Sequence, residues 1–280
     1  MTQTPVVEAR EDALRALFVV AKPVIGTIHV LPLPGAPRYR SQTMRDIIAS
    51  AVADARAYIA GGVTALIVEN EGDIPFRKPE RVGPETVAAM TAVTVAIRDS
   101  VDVPVGLNCL ANAVIQSLAI AKATGGVFVR ANQWANAYVA NEGIIEGAAA
   151  EALRFRRLID GEEIRVLADV HVKHGSHAIV ADRTLAELTH DTEAFDADVL
   201  IATGQRTGDP TRVDEVSAIK SVATRPVIVG SGLTAANAAA LMAIADGAIV
   251  GSAMKRDGVW WRPVDVDRVI AIMAEVERVR

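Results

Sequence analysis

Two glycine–serine clusters near the C-terminus carry the residue types that hold an anion: Gly230-Ser231-Gly232 with Thr234 close behind, and Gly251-Ser252. Glycine lets a backbone approach a phosphate closely, N–H groups at the start of a following helix point at it, and a hydroxyl adds a donor. The same residues also serve wherever a strand turns sharply into a helix, so their position in the fold must decide between the two uses. A second constellation is Arg165-Val166-Leu167-Ala168-Asp169-Val170-His171-Val172-Lys173-His174. In an extended strand Asp169, His171 and Lys173 share one face, while Val166, Ala168, Val170 and Val172 point the other way. Unpaired charges are costly in a low-dielectric interior. Three ionisable groups on an inward face therefore imply either a chemical task or an internal Asp169–Lys173 ion pair.

Further polar residues close other apolar runs: His29, Glu69 with Asn70, Asn108, Arg130 with Asn132, and Thr203. If all of them converge on one opening beside a phosphate anchor, proton transfer at a sugar carbon is the chemistry they suit. Glu69 or Asp169 is then the base, Lys173 and Arg130 stabilise developing negative charge, His171 joins them as a catalytic candidate, and His29, Asn70, Asn108, Asn132 and Thr203 contact substrate. Lys173 could also form a Schiff base if desolvation lowers its pKa. Asp169 and His171 with His29 or Glu69 could ligate a divalent metal, but no His-X-His or Cys-X-X-Cys spacing supports one. No cofactor is assigned, with a divalent metal as the one option left open.

The elements that must position these residues repeat along the chain. Short Val/Ile-rich runs alternate with segments of helical periodicity. The expected strands are Val24 to Val30, Ala65 to Glu69, Val105 to Asn108, Val127 to Asn132, Arg165 to Val172, Val199 to Thr203, Pro226 to Gly230 and Ala248 to Gly251. The expected helices are Met44 to Ala60, Pro84 to Asp99, Ala113 to Ala123, Glu146 to Leu158, Thr184 to Glu193, Arg212 to Ala223, Ala235 to Met242 and Val266 to Val279. Repeats of about 35 residues predict an α/β fold, a (β/α)8 TIM barrel, whose strand-to-helix loops form the mouth where active sites are built. The two glycine–serine clusters then follow strands seven and eight, where such barrels frequently bind phosphate. An extra N-terminal helical segment, Glu8 to Val20 within residues 1–22, is expected to plug the bottom of the barrel. No Pro/Ser-rich linker interrupts the alternation, so residues 1–280 are read as one domain.

With 280 residues, 51% hydrophobic and 22% charged, the chain is no disordered or collagenous sequence. A net charge of −5 leaves no electrostatic footprint for nucleic acid or an anionic membrane. One cysteine, Cys109, excludes an intrachain disulfide. No signal-peptide pattern and no apolar run long enough to span a bilayer point to a cytoplasmic protein without direct membrane insertion. Trp260-Trp261 before the last helix reads as an oligomer contact or as packing at the barrel base, and a homo-oligomer is expected.

The motifs also carry a resemblance. Lys22 to His29 with Leu33 to Tyr39, Val68-Glu69-Asn70-Glu71-Gly72-Asp73 with Pro75-Phe76, Ala168 to His174, Val229 to Gly232, Asp246-Gly247 and Val250-Gly251, in that order, resemble the BtpA/SgcQ family. The resemblance implies a barrel of the ribulose-phosphate-binding type, with phosphate at Gly230 to Gly232 and at Gly251. It also implies two lines of function: photosystem I biogenesis at the thylakoid surface for cyanobacterial members, and a suggested nucleosidase role among sugar-utilisation genes for enterobacterial ones. Where the family has Leu-Arg-Asn-Asp after strand three, this chain has Leu110-Ala111-Asn112-Ala113, which removes a cation and a carboxylate. The expected function is therefore an enzyme acting on a small phosphorylated sugar or nucleotide-like metabolite, of isomerase, lyase or nucleosidase type. The alternative is a non-catalytic assembly factor for a membrane complex that uses the barrel as a scaffold.

Overall fold

Alternating apolar residues bounded by Gly, Pro and Asn fold as short strands, and each barrel strand is followed by a helix that buries its apolar stripe. The computed structural model describes residues 12–204 and 211–280. In chain order these form α1 (Ala13–Leu17), β1 (Val24–His29), α2 (Met44–Ala60), β2 (Ala65–Glu69), α3 (Pro84–Arg98), β3 (Val105–Asn108), α4 (Val114–Thr124), β4 (Phe128–Ala131), β5 (Ala137–Ala140), β6 (Gly143–Glu146) and α5 (Ala149–Leu158). They continue with β7 (Arg165–Asp169), β8 (Gly175–Ser176), α6 (Leu185–Ala194), β9 (Val199–Ala202), α7 (Val213–Lys220), β10 (Val227–Val229), α8 (Ala238–Ile244), β11 (Gly247–Val250) and α9 (Val266–Glu277). Eight parallel strands close a barrel in the order β1-β11-β10-β9-β7-β4-β3-β2, as the sequence repeat requires.

The period of two sets what the barrel contains. Outward residues such as Val24, Leu66, Val105, Val129, Val166, Leu200, Val227 and Ala248 pack into one cluster with the helices. Inward residues at the lower end, Ile25, Ile67, Phe128, Leu167, Ile201, Ile228 and Ile249, form a second cluster. Leu14 and Phe18 join this second cluster from below, with Phe18 edge-on to Phe128 at a centroid distance of 6.0 Å. The described part of the N-terminal segment thus plugs the barrel bottom as expected. Its helix is shorter than the expected Glu8 to Val20: Asp12 caps it through Leu14 N–H at 3.0 Å, and the backbone turns extended at Phe18. The portion Glu8 to Glu11 lies outside the described residues.

Two local departures have clear causes. Gly143–Glu146 does not begin a helix, because it pairs antiparallel with β5, and β5 pairs with β8; the three strands make a small separate sheet. Helix α5 consequently starts at Ala149 and not at Glu146. The fifth barrel strand, β7, ends at Asp169 and not at Val172. Beyond it Val172 packs with Tyr138 and Ile145 of the small sheet.

The loop after β11 is fastened from behind by a buried ion pair. Lys255 Nζ lies 2.5 Å from Asp54 Oδ2 on α2 and 5.4 Å from the Tyr58 ring centroid, and Asp54 Oδ1 accepts the Val264 N–H at 2.8 Å. Lys255 is 1% exposed, so removing either partner strands a charge in the interior. Asp54→Ala is expected to cost about 3–5 kcal/mol of unfolding free energy in urea titrations, with Asp54→Leu/Lys255→Met recovering most of it. A loss below about 1 kcal/mol in the single variant would show that the pair does not fasten this loop.

Candidate functional site

At the C-terminal end of the barrel the inward positions change from aliphatic to polar or glycine within one residue step of the alternation. They are His29, Glu69, Asn108, Arg130, Asp169, Thr203, Gly230 and Gly251, one from each strand or the residue just beyond it. Parallel register sets His29 beside Glu69 and Glu69 beside Asn108.

Arg130, 4% exposed, lies at the centre of this layer. Its Nε and Nη2 donate to Asp169 Oδ1 at 3.3 and 3.1 Å, Nη2 also reaches Oδ2 at 3.1 Å, and Nη1 lies 3.7 Å from Glu69 Oε1. Burial pulls the guanidinium pKa down, but Asp169 and Glu69 carry it above its ordinary value, so the cation is held. Asn132 Nδ2 donates to Asp169 Oδ2 at 3.3 Å and Asn108 Nδ2 to Glu69 Oε1 at 3.0 Å. Gly230 leaves room for this arrangement: a Cβ there would fall 2.3 Å from Ile201 Cγ2 and 3.4 Å from Arg130 Nη2.

Above the layer is a cavity of about 210 Å³ lined by His29, Glu69, Arg130, Lys173 and the two glycine–serine loops. Ser231, Gly232 and Thr234 form one wall; Gly251, Ser252 and Ala253 form the facing one. The turn Ser252–Met254 has no side-chain cap, which leaves its leading N–H groups available to an anion. Lys173 Nζ has no hydrogen-bond acceptor among the described residues. Burial, and then the Arg130 charge, push its pKa down to about 8, against the pull of Asp169, Glu69 and Glu71.

The structure therefore gathers Glu69, Arg130, Lys173, His29, Gly230, Ser231, Gly232, Gly251 and Ser252 around one cavity. Asp169, Asn108, Asn132 and Thr203 lie in the layer beneath, Asp169 with both oxygens taken by Arg130 and Asn132. The Asn108 Oδ1, Asn132 Oδ1 and Thr203 Oγ1 atoms there are buried without a hydrogen-bond partner among the described residues.

Three expectations are corrected. His171 does not join Asp169 and Lys173: with β7 ended at Asp169 the alternation no longer applies, and the ring stacks on His177 at a centroid distance of 3.8 Å. It lines an outer pocket with Leu185, Leu188 and Arg212, and burial and then His177 depress its pKa to about 4. Asn70 does not line this cavity: its Nδ2 donates to Asp73 Oδ2 at 2.9 Å and its Oδ1 accepts the Leu110 N–H at 2.7 Å. Trp260 is not at the barrel base, because its carbonyl and ring contact His29 at the mouth. Of the proposed metal ligands only His29 and Glu69 are neighbours, and no group of three His, Cys, Asp or Glu side chains gathers as a metal site among the described residues.

One residue that couples to the site through its charge and one that lines the cavity are absent from the sequence expectations. Glu71 is held up to about 7 by burial and by Glu69, against the pull of Lys173 and Arg130. The run Glu69-Asn70-Glu71-Gly72-Asp73 was its only signal. Arg268 reaches the cavity from α9, anchored by its Nε on Ala253 O at 2.8 Å, and helix periodicity gives no hint of that.

Comparison with known proteins agrees with this architecture. The BtpA family pattern matches residues 20–278, and the chain belongs to that family. An uncharacterized protein of Archaeoglobus fulgidus is 42% identical over 252 residues, covering 90% of this chain and 97% of that protein. The photosystem I biogenesis protein BtpA of Synechocystis sp. is 38% identical over 257 residues, covering 91% of this chain and 88% of that one. Among solved structures, thiamine phosphate pyrophosphorylase from Pyrococcus furiosus superposes with a TM-score of 0.56 at 15% identity, over 92% of this chain and 96% of that one, a likeness of fold.

The Lys173 ammonium is the group in this cavity whose charge changes near pH 8. Sulfate keeps a constant charge there, so its affinity in calorimetric titrations is expected to fall as pH rises through about 8 and to lose that dependence in Lys173→Met. An identical fall in wild type and variant would assign the effect to another group.

Proposed function

We propose that this member of the BtpA family is a barrel enzyme acting on a small phosphorylated sugar or nucleotide-like metabolite. Its phosphate is held between Ser231-Gly232 and Gly251-Ser252, and its reacting carbon lies over Glu69, Arg130 and Lys173. The observation that carries the reading is the shared cavity of about 210 Å³: uncapped backbone and hydroxyl donors on its walls, a buried carboxylate and two cations on its floor. Position supports it as well, since barrels frequently bind phosphate in the loops after strands seven and eight. The name of the Pyrococcus furiosus neighbour also contains a phosphate ester.

The chemistry suited to this arrangement is proton transfer beside a carbonyl or hydroxyl carbon. Glu69 is the base, because it is the buried carboxylate that lines the cavity, with its Oε1 steadied by Asn108 and Arg130. Arg130 and Lys173 stabilise the negative charge that develops on the adjacent oxygen. Asp169 positions Arg130 through its paired contacts and stays clear of the substrate.

One observation favours a second reading: the Synechocystis relative is named for photosystem I biogenesis. In that reading the barrel serves as a scaffold and the partner surface lies away from the mouth. No helix among the described residues is long and apolar enough to cross a membrane.

A thermal-shift panel of sugar phosphates and nucleoside monophosphates separates the two. The enzyme reading expects stabilisation by a subset of phosphates that Ser252→Asp, which sets a carboxylate against the anion, abolishes. Equal melting shifts of wild type and Ser252→Asp with every phosphate would remove the anchor, and retention of a protein partner by Ser252→Asp would then favour the scaffold.

A further inference from the structure

His29 Nδ1 lies 2.9 Å from the Trp260 carbonyl oxygen. A carbonyl oxygen only accepts, so Nδ1 carries the proton. Burial, and then the charges of Lys255 and Lys173, lower the His29 pKa to about 3 against the Trp260 contact, so the ring is neutral and Nε2 is a bare acceptor. Facing it at 3.9 Å is Glu69 Oε2, beyond hydrogen-bond range of Nε2, while Glu69 Oε1 already receives Asn108 Nδ2 at 3.0 Å. Two acceptors thus look at each other across a gap with no donor between them among the described residues. Both residues line the phosphate cavity. Gly251 keeps the ring edge open to it, since a Cβ there would fall 3.0 Å from His29 Cε1 and 3.3 Å from Nε2.

We propose that His29 Nε2 and Glu69 Oε2 form an acceptor pair that reads a vicinal diol on the phosphorylated ligand, one hydroxyl donating to each. The inference rests on the phosphate anchor above and narrows it to polyhydroxylated phosphate esters. A single hydroxyl has one proton and leaves one acceptor unmet, whereas adjacent hydroxyls present two donors at a separation comparable to the gap. A metal ion is the other occupant two such acceptors could share. Lys173 and Arg130 line the same cavity, and their charges oppose a cation while they attract an anionic ester. A site built to hydrogen-bond hydroxyls rejects analogues lacking them, because its own buried groups are then left unpaired.

The test measures dissociation constants of glycerol 3-phosphate, 3-hydroxypropyl phosphate, 2-hydroxypropyl phosphate and inorganic phosphate on the full-length chain by calorimetry. Glycerol 3-phosphate is expected to bind on the order of 10-fold or more tighter than either mono-hydroxy ester. In His29→Phe the ratio of those constants is expected to collapse toward one, and the wild-type comparison stands even if that variant fails to fold. Inorganic phosphate binding with no preference for the diol in the wild type overturns the acceptor pair and leaves the anchor intact. Absence of binding by inorganic phosphate and by every ester overturns both. Stabilisation by Mg2+ or Zn2+ alone, lost in His29→Phe and without diol preference, gives the gap to a cation and overturns the proposal.

Discussion

The buried guanidinium of Arg130 is the interaction on which the upper half of the barrel depends. A charge so far from water persists only when carboxylates repay its lost hydration, and Asp169 does so from the adjacent β7 and Glu69 from β2, two strands away on the other side of β4. Those carboxylates in turn need donors, which Asn132 and Asn108 provide. One cation therefore fixes four polar side chains in a plane directly above the aliphatic filling. Exchanging any member for an apolar residue would leave the others short of partners, so the layer holds together as a unit.

That plane gives the cavity its character. Arg130 and its carboxylates are mutually committed, whereas Lys173 has a lowered proton affinity and no close acceptor among the described residues. The glycine–serine loops add backbone and hydroxyl donors opposite it. These donors and the Lys173 ammonium are the features on which the proposed anion site rests. The proposed acceptor pair of His29 and Glu69 lies in the same cavity, with the His29 ring against Gly251 of the loop after β11. Behind the walls the Lys255–Asp54 pair ties the last loop to α2, so the Ser252–Met254 turn is supported by the core.

Much of this was legible from the sequence because a parallel barrel repeats two simple periods. Alternation places Asp169 inward, and the polar residues closing the other apolar runs, His29, Glu69, Asn108 and Arg130, converge with it at one end of the barrel. It failed at His171, because three residues of apparent alternation lie beyond the point where β7 leaves the sheet and the β5–β6 hairpin captures Val172. That hairpin was itself hidden, since Gly143–Glu146 has no turn signal strong enough to outweigh the helix that follows. Trp260 and Arg268 were unreadable for a different reason. Their roles come from tertiary contacts, a main-chain carbonyl on His29 and a helix side chain reaching over Ala253, which no local pattern encodes. Glu71 lies between these cases, visible as a residue type but given its raised pKa only by the burial and charges that the fold assembles.

The central claim is that the loops after β10 and β11 cradle an oxyanion beside Lys173. A crystal of the protein soaked in tungstate, read by its anomalous scattering, tests this most directly. The account requires a peak between Ser231-Gly232 and Gly251-Ser252, within reach of the Lys173 ammonium. A peak elsewhere with this cradle empty, or the two loops closed on each other by side chains, would contradict it.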